Sequence, residues 1–284
     1  MLKLVFLALL SLYFINFSVV IGQNEEGAKP FAWVKGKRPF IEASYGLTMP
    51  KHKELEAEFA LIGSVDIKLG YSEDEPYRKL IYQNDDRYVF FSYSREDLNQ
   101  FQDEEDNVEK VKTEFTRFGF GNQLGYGYRL GPFALLPYQQ GQFTLTKIKF
   151  DTSVAVSDFD RGKFDRYEGG FKFGVSTEGG LEFELIKSFS VSASYEAAVN
   201  YPGIIFFHWL GGVIVQTVTM GLISRFAEDI VDSSPALGPL MYALLRNAAG
   251  YGLYIAMRDN MFWPVKSEKP LTSETLRIGA KITF

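Results

Sequence analysis

The chain has 284 residues, no cysteine, two histidines and a formal net charge of −5. The absence of cysteine excludes disulfides, thiolate metal sites and a lipoprotein anchor, and the weak acidic balance argues against nucleic acid as a partner. Mean hydropathy is −0.07 although Phe and Tyr supply 42 residues, which is too polar for a helical membrane protein and too aromatic for most soluble enzymes. An outer-membrane barrel satisfies both, because lipid-facing and lumen-facing residues alternate and cancel in the average.

Residues 1–23 have the order of a secretory signal: Lys3, an apolar core from Leu4 to Val20, then Gly22, Gln23 and Asn24. The remaining 24–284 are expected to form one domain. Strand one is predicted over Pro39–Thr48, followed by a polar loop containing His52, which is expected to be solvated. Strand two sets Phe59, Leu61, Val65, Ile67, Leu69 and Tyr71 against Glu58, Ser64, Asp66 and Lys68. Ser72–Glu75 reads as an acidic turn, and strand three covers Tyr77–Ser94 with a bulge at Asn84–Asp86. Splitting that strand would give ten strands instead of eight.

Glu96–Lys112 reads as a long solvated loop. Strand four, Phe115–Leu130, places Phe118, Phe120, Leu124, Tyr126, Tyr128 and Leu130 on one face and Arg117, Gln123, Arg129 and four glycines on the other. That glycine face fits a crowded barrel interior. Gly131-Pro132 turns the chain into strand five, Phe133–Phe150. After a polar loop at Asp151–Lys163, strand six spans Arg166–Ile186, with Lys172, Glu178, Glu182 and Glu184 on its polar parity. Lys187-Ser188 leads to strand seven, Phe189–Val199. Strand eight ends the chain: Leu276, Ile278, Ala280, Ile282 and Phe284 alternate with Arg277, Gly279, Lys281 and Thr283.

Eight antiparallel strands with alternately short and long connections imply an all-β membrane barrel whose lumen is filled by side chains. The signal sequence, the alternating aromatic strands and the ending Leu-Arg-Ile-Gly-Ala-Lys-Ile-Thr-Phe resemble small bacterial outer-membrane β-barrels of the OmpA/OmpX-like kind. The resemblance implies a place in the bacterial outer membrane. It also implies recognition of Leu276, Ile278, Ala280, Ile282 and Phe284 by the barrel-assembly machinery. It specifies architecture and not activity.

An insert at about 203–270 departs from that pattern. Ile204–Ser224 has no charged residue and is apolar around the whole helical wheel; Arg225, Glu228, Asp229 and Asp232 follow. A cap at Ser233 or Ser234 precedes a second helix, Leu240–Met257. The resulting apolar hairpin could plug the lumen, cap the barrel, or lie in the outer leaflet or against the wall. Trp209, Ile214, Val218 and Trp263 are its candidate membrane or partner contacts.

Asp66, Lys68, Arg117, Arg129, Lys172, Glu178, Glu182 and Glu184 are expected to form a lumen charge network. His208 is the one catalytic candidate, and beside Trp209 it reads better as an interfacial anchor. No cofactor or metal pattern is present. The sequence therefore points to a non-enzymatic barrel whose insert docks a lipid or protein partner. Its alternatives are a lipid-modifying enzyme and a transporter of a hydrophobic solute.

Overall fold

The computed structural model describes residues 37–78, 80–101, 110–151, 156–203 and 206–284; the expected signal sequence lies outside them. Eight antiparallel strands close in sequence order: β1 Arg38–Lys51, β2 Ile62–Arg78, β3 Ile81–Arg95, β4 Lys112–Leu130, β5 Phe133–Asp151, β6 Phe171–Ile186, β7 Phe189–Asn200 and β8 Leu271–Thr283. The register of β1 with β8, Tyr45 opposite Ile278 and Ala43 opposite Ala280, completes the cylinder. Among the described residues three α-helices lie between strands: α1 Asp158–Tyr167, α2 Phe206–Ser233 and α3 Gly238–Asp259.

Alternation fixes what each face meets. Val65, Ile67, Leu69, Val89, Phe91 and Ile278 point outward and are 40–66% exposed. Their neighbours in sequence, including Ser64, Asp66, Lys68, Ser92 and Arg277, are buried inside. A continuous apolar exterior around a polar centre inverts a soluble sheet packing and is the surface of a membrane-spanning barrel.

The turns β2–β3, β4–β5 and β6–β7 share one end of the barrel, the turn end. The β1–β2, β3–β4, β5–β6 and β7–β8 connections share the other, the loop end. In the two-residue turn at Gly131-Pro132, Gly131 has φ +72°, a conformation that favours glycine.

Several expected boundaries shift. Ser72–Glu75 is not a turn: β2 runs through it, and Asn84–Asp86 opposite is regular strand, with Ser72 paired to Asp86 and Asp74 to Asn84. The acidic residues are held straight by cations distant in sequence, Asp74 by Arg38 of β1 and Arg129 of β4 and Glu73 by Lys37 just before β1. There are therefore eight strands, not ten. The segment before β6 contains α1, started by the Ser157 side chain accepting from the Asp160 N–H, so Tyr167 is helical and not a strand residue.

The hairpin crosses outside the barrel. α2 has 28 residues, about 42 Å at ~1.5 Å per residue, enough to run the height of the wall. It begins at the loop end, where Trp209 stacks edge-on against Phe173, and ends at the turn end, where Asp232 meets Tyr77 and Arg78. The charged residues expected to end this helix lie within it. α3 returns along the wall over β4–β7. Its N-cap is Leu237 with no side-chain cap, so the serine cap is not used; Pro239 sits in its first turn.

Candidate functional site

Both parts of the molecule that could carry function are built by strand parity: the lumen on the inward face, and the hairpin seam on the outward face of β4–β7.

At the centre of the lumen, Arg277 reaches three carboxylates: Nε lies 2.8 Å from Asp66, Nη1 3.0 Å from Glu178 and Nη2 2.5 Å from Glu196. Arg117 donates both Nη atoms to Glu196 at 2.7 and 2.8 Å. Lys68 pairs with Glu42 at 3.1 Å and lies 3.7 Å from Glu178; Lys281 pairs with Asp86 at 2.5 Å and Glu182 at 3.2 Å. Gln140 joins these groups, donating to Gln123 and Glu178 and accepting from Lys68 and Tyr88. Cations also lie over inward rings, Lys281 4.8 Å from the Phe40 centroid and Arg117 5.5 Å from that of Phe90. Paired charges, amides and aromatic faces fill the bore in place of water.

Both ends of that bore are closed. Near the turn end, the void among Arg38, Asp74, Tyr82, Asn84 and Glu184 measures about 10 Å³, at the lower limit for one water. At the loop end Ile62, Phe115, Ile148 and Leu271 form an apolar seal with Tyr167 of α1, whose hydroxyl accepts from the Leu271 N–H at 2.8 Å.

Of the predicted network, Asp66, Lys68, Arg117, Glu178 and Glu182 are buried together. Arg129 and Glu184 form a more open pair, 3.8 Å apart, at the turn end. Lys172 lies on the inward parity near the loop end and has no ion-pair partner among the described residues. Glu42, Asp86, Glu196, Arg277 and Lys281 complete the network and were absent from the expectation. Their parity marks them: each alternates with a lipid-facing residue.

The seam is the second site. One face of α3, Tyr242, Ala243, Arg246, Gly250, Tyr254 and Met257, is buried against the wall and α2. Arg246 Nη2 donates to Gln139 Oε1 at 2.8 Å, and Nη1 to Tyr242 and Ser224. Asn247 donates to the Tyr138 carbonyl at 3.0 Å. Gln139 faces outward from β5 yet is only 5% exposed, because the hairpin covers it. The opposite face is apolar and open: Ile214 and Val218 of α2 are 55% and 56% exposed, with Leu222, Phe226, Leu240 and Leu244 beside them.

Trp209, expected as a surface contact, is buried against Phe173, so its ring belongs to the seam; Trp263 is half-buried. His208 is exposed beside Phe262, with no carboxylate partner among the described residues. His52 is buried, contrary to expectation: its ring lies edge-on to Tyr167 and Nδ1 accepts from the Glu54 N–H at 3.2 Å. Burial pushes its pKa below the usual histidine value. Leu276, Ile278, Ala280, Ile282 and Phe284 are all outward and exposed. No group of metal-ligating side chains occurs among the described residues.

No protein-family model matches the sequence, and no curated protein matches it. Among solved structures, the chain is similar to Neisserial surface protein A (NspA), with 11% identity and a TM-score of 0.37 over 87% of this chain and 97% of that one. It is also similar to Ail, the attachment invasion locus protein of Yersinia pestis, with 12% identity and a TM-score of 0.33 over 87% and 99%. At such scores the likeness carries no functional argument. The closed ladder and the inverted polarity define the class: a small eight-stranded membrane barrel, with a helical hairpin against its outer wall.

Proposed function

We propose that the protein is a non-enzymatic integral barrel of the bacterial outer membrane, closed to ions, whose hairpin docks outer-membrane lipid. The observation that supports this most is the two-sided hairpin. One face is held on the wall by Arg246 and Asn247, and the other presents Ile214, Val218, Leu222 and Phe226 with no protein over them. A helix apolar on its free side belongs in hydrocarbon. With both termini periplasmic, the short turns face the periplasm and the long loops face outward. The exposed alternate residues of β8 and Phe284 suit recognition by the barrel-assembly machinery. His208 gives no support to a lipid-modifying site, and the sealed lumen speaks against passage of a solute through it.

A photo-crosslinking residue at Val218 or Leu244 in living cells should yield lipid adducts. A single protein adduct of fixed mass would replace lipid by a protein partner. Extraction of the chain without detergent would remove the membrane reading altogether.

A further inference from the structure

The hairpin does not meet the wall everywhere. Between α3 and strands β6–β7 lies a cavity of about 440 Å³ lined by Thr177, Gly179, Tyr195, Ala197, Asn247 and Tyr251. α3 touches the wall closely where glycines allow it: a Cβ on Gly250 would stand 2.5 Å from Thr177 Oγ1, and one on Gly179 2.3 Å from Asn247 Oδ1. Beside these contacts the Tyr195 and Tyr251 rings meet edge to face, with centroids 6.0 Å apart. The floor of the cavity is the outward face of the barrel, and exposed Leu181 and Leu276 flank it. The groove is open on one side, and its largely apolar lining offers water few partners. Its size is that of a ligand site, ~300–1,000 Å³.

Toward the loop end the same wall turns polar. Lys51 Nζ lies 2.7 Å from Glu274 Oε2, and the Tyr254 hydroxyl donates to Glu274 Oε1 at 3.0 Å. Tyrosines with a lysine at the end of an apolar band mark the level of lipid headgroups.

We infer that this groove holds one acyl chain of a glycerophospholipid, with the headgroup at Lys51 and the tyrosine hydroxyls. A single half-exposed lysine, already balanced by Glu274, suits a zwitterionic monophosphate head. It does not suit the dense charge of a multiply phosphorylated glycolipid. The inference rests on the lipid-docking reading and places the occupant in the seam instead of on the outward face of the hairpin.

The test is native mass spectrometry of the full chain in detergent, titrated with phosphatidylethanolamine. The wild type should carry one phospholipid, and Ala197→Phe, which fills the cavity from β7, should weaken that adduct at least tenfold. Val89→Phe, on the open wall of β3, should leave it unchanged. Heat-modifiable gel mobility verifies that each variant is folded; should Ala197→Phe fail to fold, Lys51→Ser, predicted to weaken the adduct severalfold, decides instead. No phospholipid on the wild type, adducts of lipopolysaccharide alone, or equal occupancy in the folded variants would overturn the inference. Equal occupancy in Ala197→Phe with loss on deleting residues 203–269 would move the lipid to the outward face, sparing the docking reading. Retention in both would end both.

Discussion

Replacing Arg277 by Met should be the most destabilising single change in the lumen. The guanidinium serves Asp66, Glu178 and Glu196 at 2.8, 3.0 and 2.5 Å. Its loss does not strand all three equally. Glu196 keeps the paired hydrogen bonds of Arg117, and Glu178 keeps Lys68 at 3.7 Å, but the next cation to Asp66 is Arg117 at 4.0 Å. Removing one partner of a buried ion pair costs about 3–5 kcal/mol, because the charge left behind has lost its solvation and its partner. That is roughly two to three and a half orders of magnitude in the unfolding equilibrium. Arg117→Met should cost less, since Glu196 then retains Arg277. Urea unfolding in detergent micelles, followed by heat-modifiable mobility and tryptophan fluorescence, reads both. Adding Asp66→Asn and Glu178→Gln to Arg277→Met should recover at least half of the loss, because amides do not carry the stranded charge. A loss below about 1 kcal/mol for Arg277→Met would mean that the lumen charges are solvated, and the argument for a sealed, water-poor bore would fail.

Gly119→Ala should be costly and Gly141→Ala nearly neutral. The first Cβ would stand 2.0 Å from the Phe143 carbonyl oxygen, the second meets only Asn122 Oδ1 at 3.9 Å; overpacking of the first kind costs about 1–3 kcal/mol, measurable as a shift in unfolding midpoint. His52, with its pKa lowered by burial, binds its proton more weakly folded than unfolded. Its contribution to stability is therefore complete above the unfolded value of about 6.5 and is lost progressively as pH falls below it. Comparing unfolding midpoints at pH 7.5 and 5 should show the decline, and His52→Gln should flatten it. In planar bilayers the wild type should give no steady ion conductance, as both ends of the bore are closed by side chains; a stable open channel would contradict the seal at Tyr167 and Leu271.

The two-residue period makes the cylinder readable, since one strand's parity states which side chains share the lumen. The same rule applied to β1, β3 and β8 would have added Glu42, Asp86, Arg277 and Lys281 to the network. Features set by long-range partners were not readable. Ser72–Glu75 looks like a turn in isolation because its neutralising cations, Arg38 and Arg129, come from strands far away in sequence. α1 is short, and its Ser157 cap is a local signal submerged in a polar stretch. His52 is buried by Tyr167, 115 positions later, which no local pattern announces. The hairpin's place on the wall was one of three open alternatives.

What decides that place is a strip of wall where the lipid pattern lapses. On β5–β7 the outward positions Pro137, Gln139, Thr177, Gly179 and Ala197 are small or polar, where the outward face of β2 carries Val65, Ile67 and Leu69 and that of β8 Leu276, Ile278 and Ile282. Gln139 makes the point testable, because its best replacement depends on whether the hairpin is present. In the full chain Gln139→Leu removes the oxygen that accepts from Arg246 at 2.8 Å, leaving a buried cation short of a partner; it should destabilise by about 1–3 kcal/mol. In a chain lacking residues 203–269, Gln139 Nε2 still donates to the Gln140 carbonyl and to Thr177 Oγ1, but its Oε1 faces hydrocarbon without a donor. There the same substitution should stabilise by about 1–3 kcal/mol. Unfolding both pairs in identical micelles gives two differences of opposite sign. Equal signs would show that Arg246 and Gln139 are not coupled, and that the hairpin rests on the wall without being specified by it.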